Sequence, residues 1–268
     1  MSFNNSSNSD QTAQSNPAQS GFANRLAILT IDTETASLHG DVYDLAYAIH
    51  DKRGNIAVQR NWLVNENFTD AKRMMGAYYA SKLFSHYAPM LDRQEIHLTD
   101  WSEIVDTMRA DIAQHGVNVV AAYNLPFDVR VIRQTNDALG DGMPIFGRNI
   151  GVKPVFGKIV KLLDIWQFIC ESRLDNNLYR SVAMEQGWIS KAGNVKTGAE
   201  FAYRYTFGDF SFIEDHTALS DVLIEIELLT ACFKTRKKIP YNILDGQAWR
   251  IVNKNAGHDT DIHGGVSR

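Results

Sequence analysis

Apolar residues along this chain recur with two different periods. Short unbroken or alternating runs lie at Leu26 to Ile31, Tyr43 to His50, Ile56 to Val64, Val117 to Tyr123 and Ile159 to Leu163, and each predicts a β-strand. Between the second and third, Asp51-Lys-Arg-Gly-Asn55 supplies the glycine and asparagine of a hairpin turn. Helical spacing governs other stretches. Trp101, Ile104, Val105, Met108 and Ile112 recur at helical intervals, with Asp100 and Glu103 at capping-box distance and Gly116 where the helix must end. From Asp128, the positions Val129, Ile132 and Leu139 are again helical, and Asp164 with Gln167 has cap spacing after the last strand. The longest stripe follows Thr217: Leu219, Val222, Leu223, Ile226, Leu229 and Phe233, closed by the cations Lys234, Arg236, Lys237 and Lys238. Residues Asp70 to Leu91 are aromatic and polar with weak periodicity, and Pro89 is expected to end that stretch. Strands first, then strand and helix in alternation, predict an α/β fold: a mixed sheet with helices on its faces.

The ends of the chain lose this patterning. Residues 1–20 hold six Ser, four Asn and three Gln with a single charge, too little apolar surface to offset the entropy of ordering. The reading is therefore a disordered tail over residues 1–24, one domain over 25–252, and a flexible tail over 253–268 in which Gly257, Gly264 and Gly265 break any period. With 44% apolar and 22% charged residues, the domain has the composition of a soluble globular protein. No apolar run approaches the roughly 18 to 20 residues of a membrane span, and the N-terminus lacks a signal-peptide pattern, so a cytoplasmic location without membrane attachment is expected. Cys170 and Cys232 make neither a disulfide framework nor a zinc ligand set, which leaves oxygen or histidine to hold any metal. The net charge of −4 argues against broad coating of nucleic acid but leaves room for a local site.

Three places carry candidate chemistry. Asp32-Thr-Glu34 closes the first strand, and the two-residue side-chain period sends both carboxylates to one side. Taken alone this is also an ordinary polar strand end, and Glu225-Ile-Glu227 or Asp259-Thr-Asp261 illustrates how such spacing arises by chance. Asn124-Leu-Pro-Phe-Asp128 stands where a buried strand stops, and Asp128 there equally suits an N-cap. His216-Thr-Ala-Leu-Ser-Asp221 opens the last helix, where the dipole alone favours an acid.

All three pieces together, in this order, resemble the DEDDh family of 3′-to-5′ exonucleases. That ribonuclease H-like group includes the proofreading subunit of bacterial replicative polymerase and ribonuclease T. Asp32-Thr-Glu-Thr-Ala-Ser-Leu38 is similar to the family's first motif, Asn124 to Asp128 to its second and His216 to Asp221 to its third, at intervals of 96 and 93 residues between Asp32, Asp128 and Asp221. The resemblance covers Leu26 to Phe233 and implies a ribonuclease H-like mixed sheet flanked by helices. It makes Asp32, Glu34, Asp128 and Asp221 the ligands of two divalent cations and His216 the general base. An all-oxygen set of clustered acids suits Mg²⁺ or Mn²⁺, and two such ions about 3.5 to 4 Å apart can polarise a water and stabilise a leaving 3′-oxygen. Histidine, with an ordinary pKa of about 6.5, can accept the proton of that water near neutrality.

The same resemblance places Thr35, Ala36 and Leu38 against the terminal nucleotide, with an apolar residue there wedged against its base, and has Asn124 and Phe127 help position it. Ala36-Ser37 stands where many relatives carry Thr-Gly. Asp164 matches an acid that often follows the second motif, although helix capping accounts for it as well. Lys153, Lys158, Lys161 and the cluster from Lys234 to Lys238 are candidate phosphate contacts, and Tyr203, Tyr205, Phe207 and Phe210 candidate stacking partners, each with a structural explanation beside it. The aromatic stretch from Tyr78 and Tyr79 to Tyr87 is a candidate partner surface or strand guide, or core. The expected activity is release of nucleoside 5′-monophosphates from the 3′ end of a single strand. DNA is the first choice of substrate, and RNA or short oligonucleotides are the alternative. A silent nucleic-acid-binding accessory protein is a further reading, disfavoured by the presence of all four acids and the histidine. A homodimer, and a polymerase or repair partner in trans, are compatible with the resemblance.

Overall fold

The computed structural model describes residues 26–77, 80–143 and 160–254. The tail expected at residues 1–24 and all but the first two residues of the one expected at 253–268 lie outside the described residues, as do Tyr78, Tyr79, Lys153 and Lys158.

One six-stranded mixed sheet organises the chain, in the order β4-β3-β2-β1-β5-β6. The strands are β1 (Ile28–Thr35), β2 (Val42–His50), β3 (Ile56–Val64), β4 (His97–Thr99), β5 (Val119–Ala122) and β6 (Lys161–Asp164). β1 and β3 flank β2 antiparallel, whereas β5 lies parallel to β1, β6 parallel to β5 and β4 parallel to β3. The helices are α1 (Asn65–Phe68), α2 (Ala71–Met75), α3 (Ala88–Asp92), α4 (Trp101–His115), α5 (Leu125–Leu139), α6 (Ile165–Ile169), α7 (Asn177–Glu185), α8 (Ala199–Phe207), α9 (Ala218–Phe233) and α10 (Trp249–Asn253). The expected α/β mixed sheet with helices on its faces is therefore the observed one.

Strand alternation decides which helix each face receives. Leu29 and Ile31 of β1, with Leu45, Tyr47 and Ile49 of β2, form one core beneath α4 and α5. Ile28 of β1, with Val119 and Ala121 of β5, packs against Phe168, Leu228 and Leu229 on the other face. There Ala46 and Ala48 of β2 present only methyl groups to Ala218, Val222 and Ile226, which seats α9 against the sheet. Trp101 is fully buried in the first core, and its Nε1–H donates to Asn136 Oδ1 at 3.0 Å. Trp101→Ala is expected to cost about 3–5 kcal/mol by cavity formation, read as a lower midpoint in urea unfolding.

Several local expectations change on folding. The capping box at Asp100 does not form: Glu66 of α1 accepts the Trp101 N–H at 3.1 and 3.2 Å, and the Asp100 carboxylate accepts from Asn65 instead. Gly116 does end α4, at φ +60°, with the Val117 N–H returning to the Ile112 carbonyl. Pro89 does not end its stretch. It sits in the first turn of α3, where its missing N–H costs nothing, and α3 continues a π-helical turn over Leu83–Tyr87. Asn253, assigned from sequence to the tail, ends α10, and its side chain bonds both the N–H and the carbonyl of Val195.

Candidate active site

β1 outruns its parallel neighbour. Its pairing with β5 stops at Thr30 opposite Ala121, so Asp32 to Thr35 extend beyond the end of β5. A crevice at the carboxyl ends of the strands results, the usual place for a ligand in such sheets. Asp32 and Glu34 share the face of β1 that α9 covers, as the two-residue period requires.

Asp221 reaches the same place from the first turn of α9 and is almost fully buried. One atom of each of Glu34, His216 and Asp221 can be chosen so that all three lie within 4.8 Å of one another. Asp128 arrives from the opposite side, around the end of β1. It is not the N-cap that the sequence allowed, because Asn124 at φ +66° turns the chain into α5 and Asp128 lies inside the first turn. There it accepts a 2.8 Å hydrogen bond from Thr33 Oγ1. The second acidic position thus depends on the opposite-facing residue of the same strand that supplies the first.

Crowding of buried acids dominates the electrostatics. Burial pushes the Asp32 carboxyl well above the usual range, and the charges of Asp221, Asp128, Glu225 and Glu34 add to the effect. Burial and neighbouring Asp44 raise Glu34 to about 8, with Lys82 acting the other way. Burial, Glu214 and Glu34 raise Asp221 to about 9, and burial raises Asp128 to about 7 against the Thr33 hydrogen bond. Asp32 Oδ2 and Asp221 Oδ1 are buried without a hydrogen-bond partner among the described residues. Unsatisfied carboxylate oxygens aimed into a crevice of mutually repelling acids are a donor set that a divalent cation fits.

His216 precedes α9 in a left-handed conformation, φ +54°. Its Nδ1 lies 3.7 Å from Glu214 Oε2 and 4.0 Å from Asp221 Oδ2. Burial, and next Lys82, hold its pKa below the ordinary histidine value, which favours the neutral, proton-accepting imidazole.

Beside the acids opens a cavity of about 700 Å³ lined by Thr33, Glu34, Thr35, Ala36, Leu38 and Phe127, among others. Four of the five residues matched to nucleotide contact therefore meet there. The fifth, Asn124, is not among the lining residues, and its N–H donates to Asp164 Oδ1. Helix α5 fixes the cavity's rim: Arg130 donates to the Leu38 carbonyl and Gln134 to that of His39, while the Arg130 guanidinium lies 5.1 Å from the Phe127 ring centre. Leu38 is held there with 75% of its surface exposed.

Other candidates resolve into structural roles. Asp164 caps α6 by accepting the Trp166 N–H at 3.0 Å. Tyr203 packs on Phe207 and Phe212, and Tyr205 on Tyr179, leaving Phe207 and Phe210 half-exposed. Tyr87 is core, donating to Asp44 at 2.8 Å. Lys161 lies over the Tyr241 ring, and Lys234 to Lys238 follow the end of α9.

Sequence reading missed four groups. Glu225, set aside as chance spacing, is buried beside the cluster with Oε2 unpartnered among the described residues, one turn after Asp221 on the same helix face. That interval of four residues was the available signal. Glu214 and Asp44 add carboxylates, and Lys82 adds a cation to the charge environment of both Glu34 and Asp221. Nothing in the weakly patterned segment around Lys82 announced it.

No family model matches the chain, and no curated protein sequence matches it. Solved structures do. The zinc-bound form of an E. coli exonuclease I complex with single-stranded DNA aligns with TM-score 0.51 and 12% identity, over 79% of this chain and 41% of that one. E. coli exonuclease I with a dT13 oligonucleotide gives 0.51 and 11% over the same shares, and an apo exonuclease I gives 0.50 and 13% over 79% and 43%. The chain thus spans less than half the length of these three exonuclease I structures. At these identities the shared property is the fold, a ribonuclease H-like mixed sheet. No helix among the described residues is long and apolar enough to cross a membrane.

Proposed function

We propose that this chain is a divalent-metal-dependent 3′-to-5′ exonuclease acting on single-stranded DNA. The observation that carries the reading is the convergence of Asp32, Glu34, Asp128 and Asp221 from β1, α5 and α9, with orphaned carboxylate oxygens, beside His216 and a nucleotide-sized cavity. The choice of DNA is supported by the fold-sharing exonuclease I structures, two of which hold single-stranded DNA.

In this reading the four acids hold two divalent cations, Mg²⁺ or Mn²⁺. Bound there, the ions supply Lewis acidity at the phosphoryl group and compensate the charge on the departing 3′-oxygen. His216 accepts the proton of the attacking water, and the Glu214 and Asp221 carboxylates near its Nδ1 stabilise the imidazolium that forms. Thr35, Ala36 and Phe127 seat the terminal nucleoside in the cavity, while Leu38 presses on its base from the rim. Transfer to water releases a nucleoside 5′-monophosphate and leaves a new 3′-hydroxyl.

The test is digestion of 3′-labelled and 5′-labelled DNA and RNA strands with Mg²⁺, Mn²⁺ or chelator. Mononucleotides released from the 3′ end of DNA, only with metal, are expected. Faster loss of RNA would move the substrate class to an exoribonuclease, and no cleavage of either polymer would overturn the reading.

A further inference from the structure

The loop that carries His216 is tied down by a segment outside the sheet. Lys82 begins the helical stretch that leads into α3, and its side chain is nearly buried, the residue being 9% exposed. Its ammonium donates to the carbonyls of Asp215 and His216, both at 2.6 Å. One turn later, His86 Nε2 lies 3.0 Å from Asp215 Oδ1, so both side chains of this face reach the same loop. From the far side, Glu200 of α8 accepts the Glu214 N–H at 3.1 Å. Between these ties His216 holds its left-handed backbone at φ +54°, which a residue with a β-carbon keeps only when its surroundings over-determine it.

We infer that Lys82, backed by His86, is the positioning residue for His216. A charged donor that spans two successive carbonyls fixes the orientation of the 215–216 peptide unit, and with it the direction in which the imidazole leaves the backbone. The ammonium is the suitable group, since only a donor-rich side chain satisfies two carbonyls at once and its burial is compensated by those bonds. This inference rests on the reading of His216 as the proton acceptor.

The experiment is a double-mutant cycle in the full chain: Lys82→Met and His216→Ala, singly and together, assayed on 3′-labelled single-stranded DNA with Mn²⁺. Lys82→Met is expected to lower kcat about 10- to 100-fold, the scale of a misdirected catalytic group, with KM unchanged and Mn²⁺ affinity by calorimetry not reduced. In the His216→Ala background the same substitution is expected to cost nothing more, and Lys82→Arg to restore part of the loss. An equal fold-loss in both backgrounds, or a loss in KM or Mn²⁺ affinity, overturns the inference and moves Lys82 to the substrate or the ions. If Lys82→Met melts below the assay temperature, His86→Ala carries the test, with a few-fold loss in kcat that vanishes in the His216→Ala background. A wild-type chain without nuclease activity defeats the reading of the site itself, before any variant is compared. An active wild type matched by Lys82→Met defeats the latch alone.

Discussion

Replacing Asp221 with Asn is expected to abolish hydrolysis while making the metal-free protein harder to melt. On the proposed function the variant loses one of four metal-holding carboxylates, and a drop of at least about 10³-fold is expected in kcat. The stability gain follows from the direction of the shifts. Glu34, Asp128 and Asp221 have folded pKa values raised to about 8, 7 and 9, above the ordinary carboxylate values of the unfolded chain. An acid raised on folding favours the native state while both states are protonated. That advantage is lost as pH climbs from about 4, where the unfolded acids ionise, through the folded values near 7 to 9. The metal-free melting midpoint should therefore fall between pH 5 and pH 9, and Mg²⁺ or Mn²⁺ should restore it by neutralising the cluster. Asp221→Asn keeps the shape, removes a carboxyl that ionises more readily in the unfolded chain than in the native one, and should stabilise the chelated protein at pH 8 by about 2 kcal/mol. Calorimetric melts with chelator and with metal, at both pH values, read all of this. A midpoint that rises with pH in the absence of metal would contradict the clustering.

His216→Ala is expected to lower kcat by about 10² to 10⁴, the range for loss of a positioned general base. The burial and the Lys82 charge that hold the wild-type pKa down place the acidic limb of the kcat/KM profile below pH 6.5, and the variant should lose that limb. Mn²⁺ affinity separates two roles that the geometry brings close, because His216 stands in one group with Glu34 and Asp221. Retained affinity with lost turnover makes His216 the proton acceptor, whereas lost affinity makes it a ligand. Neither outcome depends on which polymer is the substrate.

The architecture around these residues was legible wherever it is periodic. Alternation along Ile28 to Glu34 put Asp32 and Glu34 on one face, and the stripe from Leu219 to Phe233 named the helix that covers that face. Gly116 marked a helix end because a left-handed φ is a local need. Capping was less legible. Asp100 and Glu103 have the right spacing, yet Glu66 takes the Trp101 N–H, since a carboxylate delivered by α1 competes for a donor that local spacing cannot reserve. Glu225 was misjudged for a related reason: its neighbour Glu227 faces Tyr203 while Glu225 faces the acids, and an acidic pair two apart on a helix points in two directions.

By itself the sequence determined β1, β2, β3, β5 and β6, the long helices α4, α5 and α9, and which residue types stand at the strand and helix ends, because period and side-chain type are properties of short stretches; β4 and the short helices it did not. Only the tertiary structure decided that Asp128 bonds Thr33 around the end of β1, that Glu225 and Glu214 crowd the same crevice, and that Lys82 reaches across more than a hundred residues of chain to hold the His216 loop. Those are encounters between segments remote in sequence. They are fixed by which faces bury together and which charges must then find partners, and no local pattern encodes either.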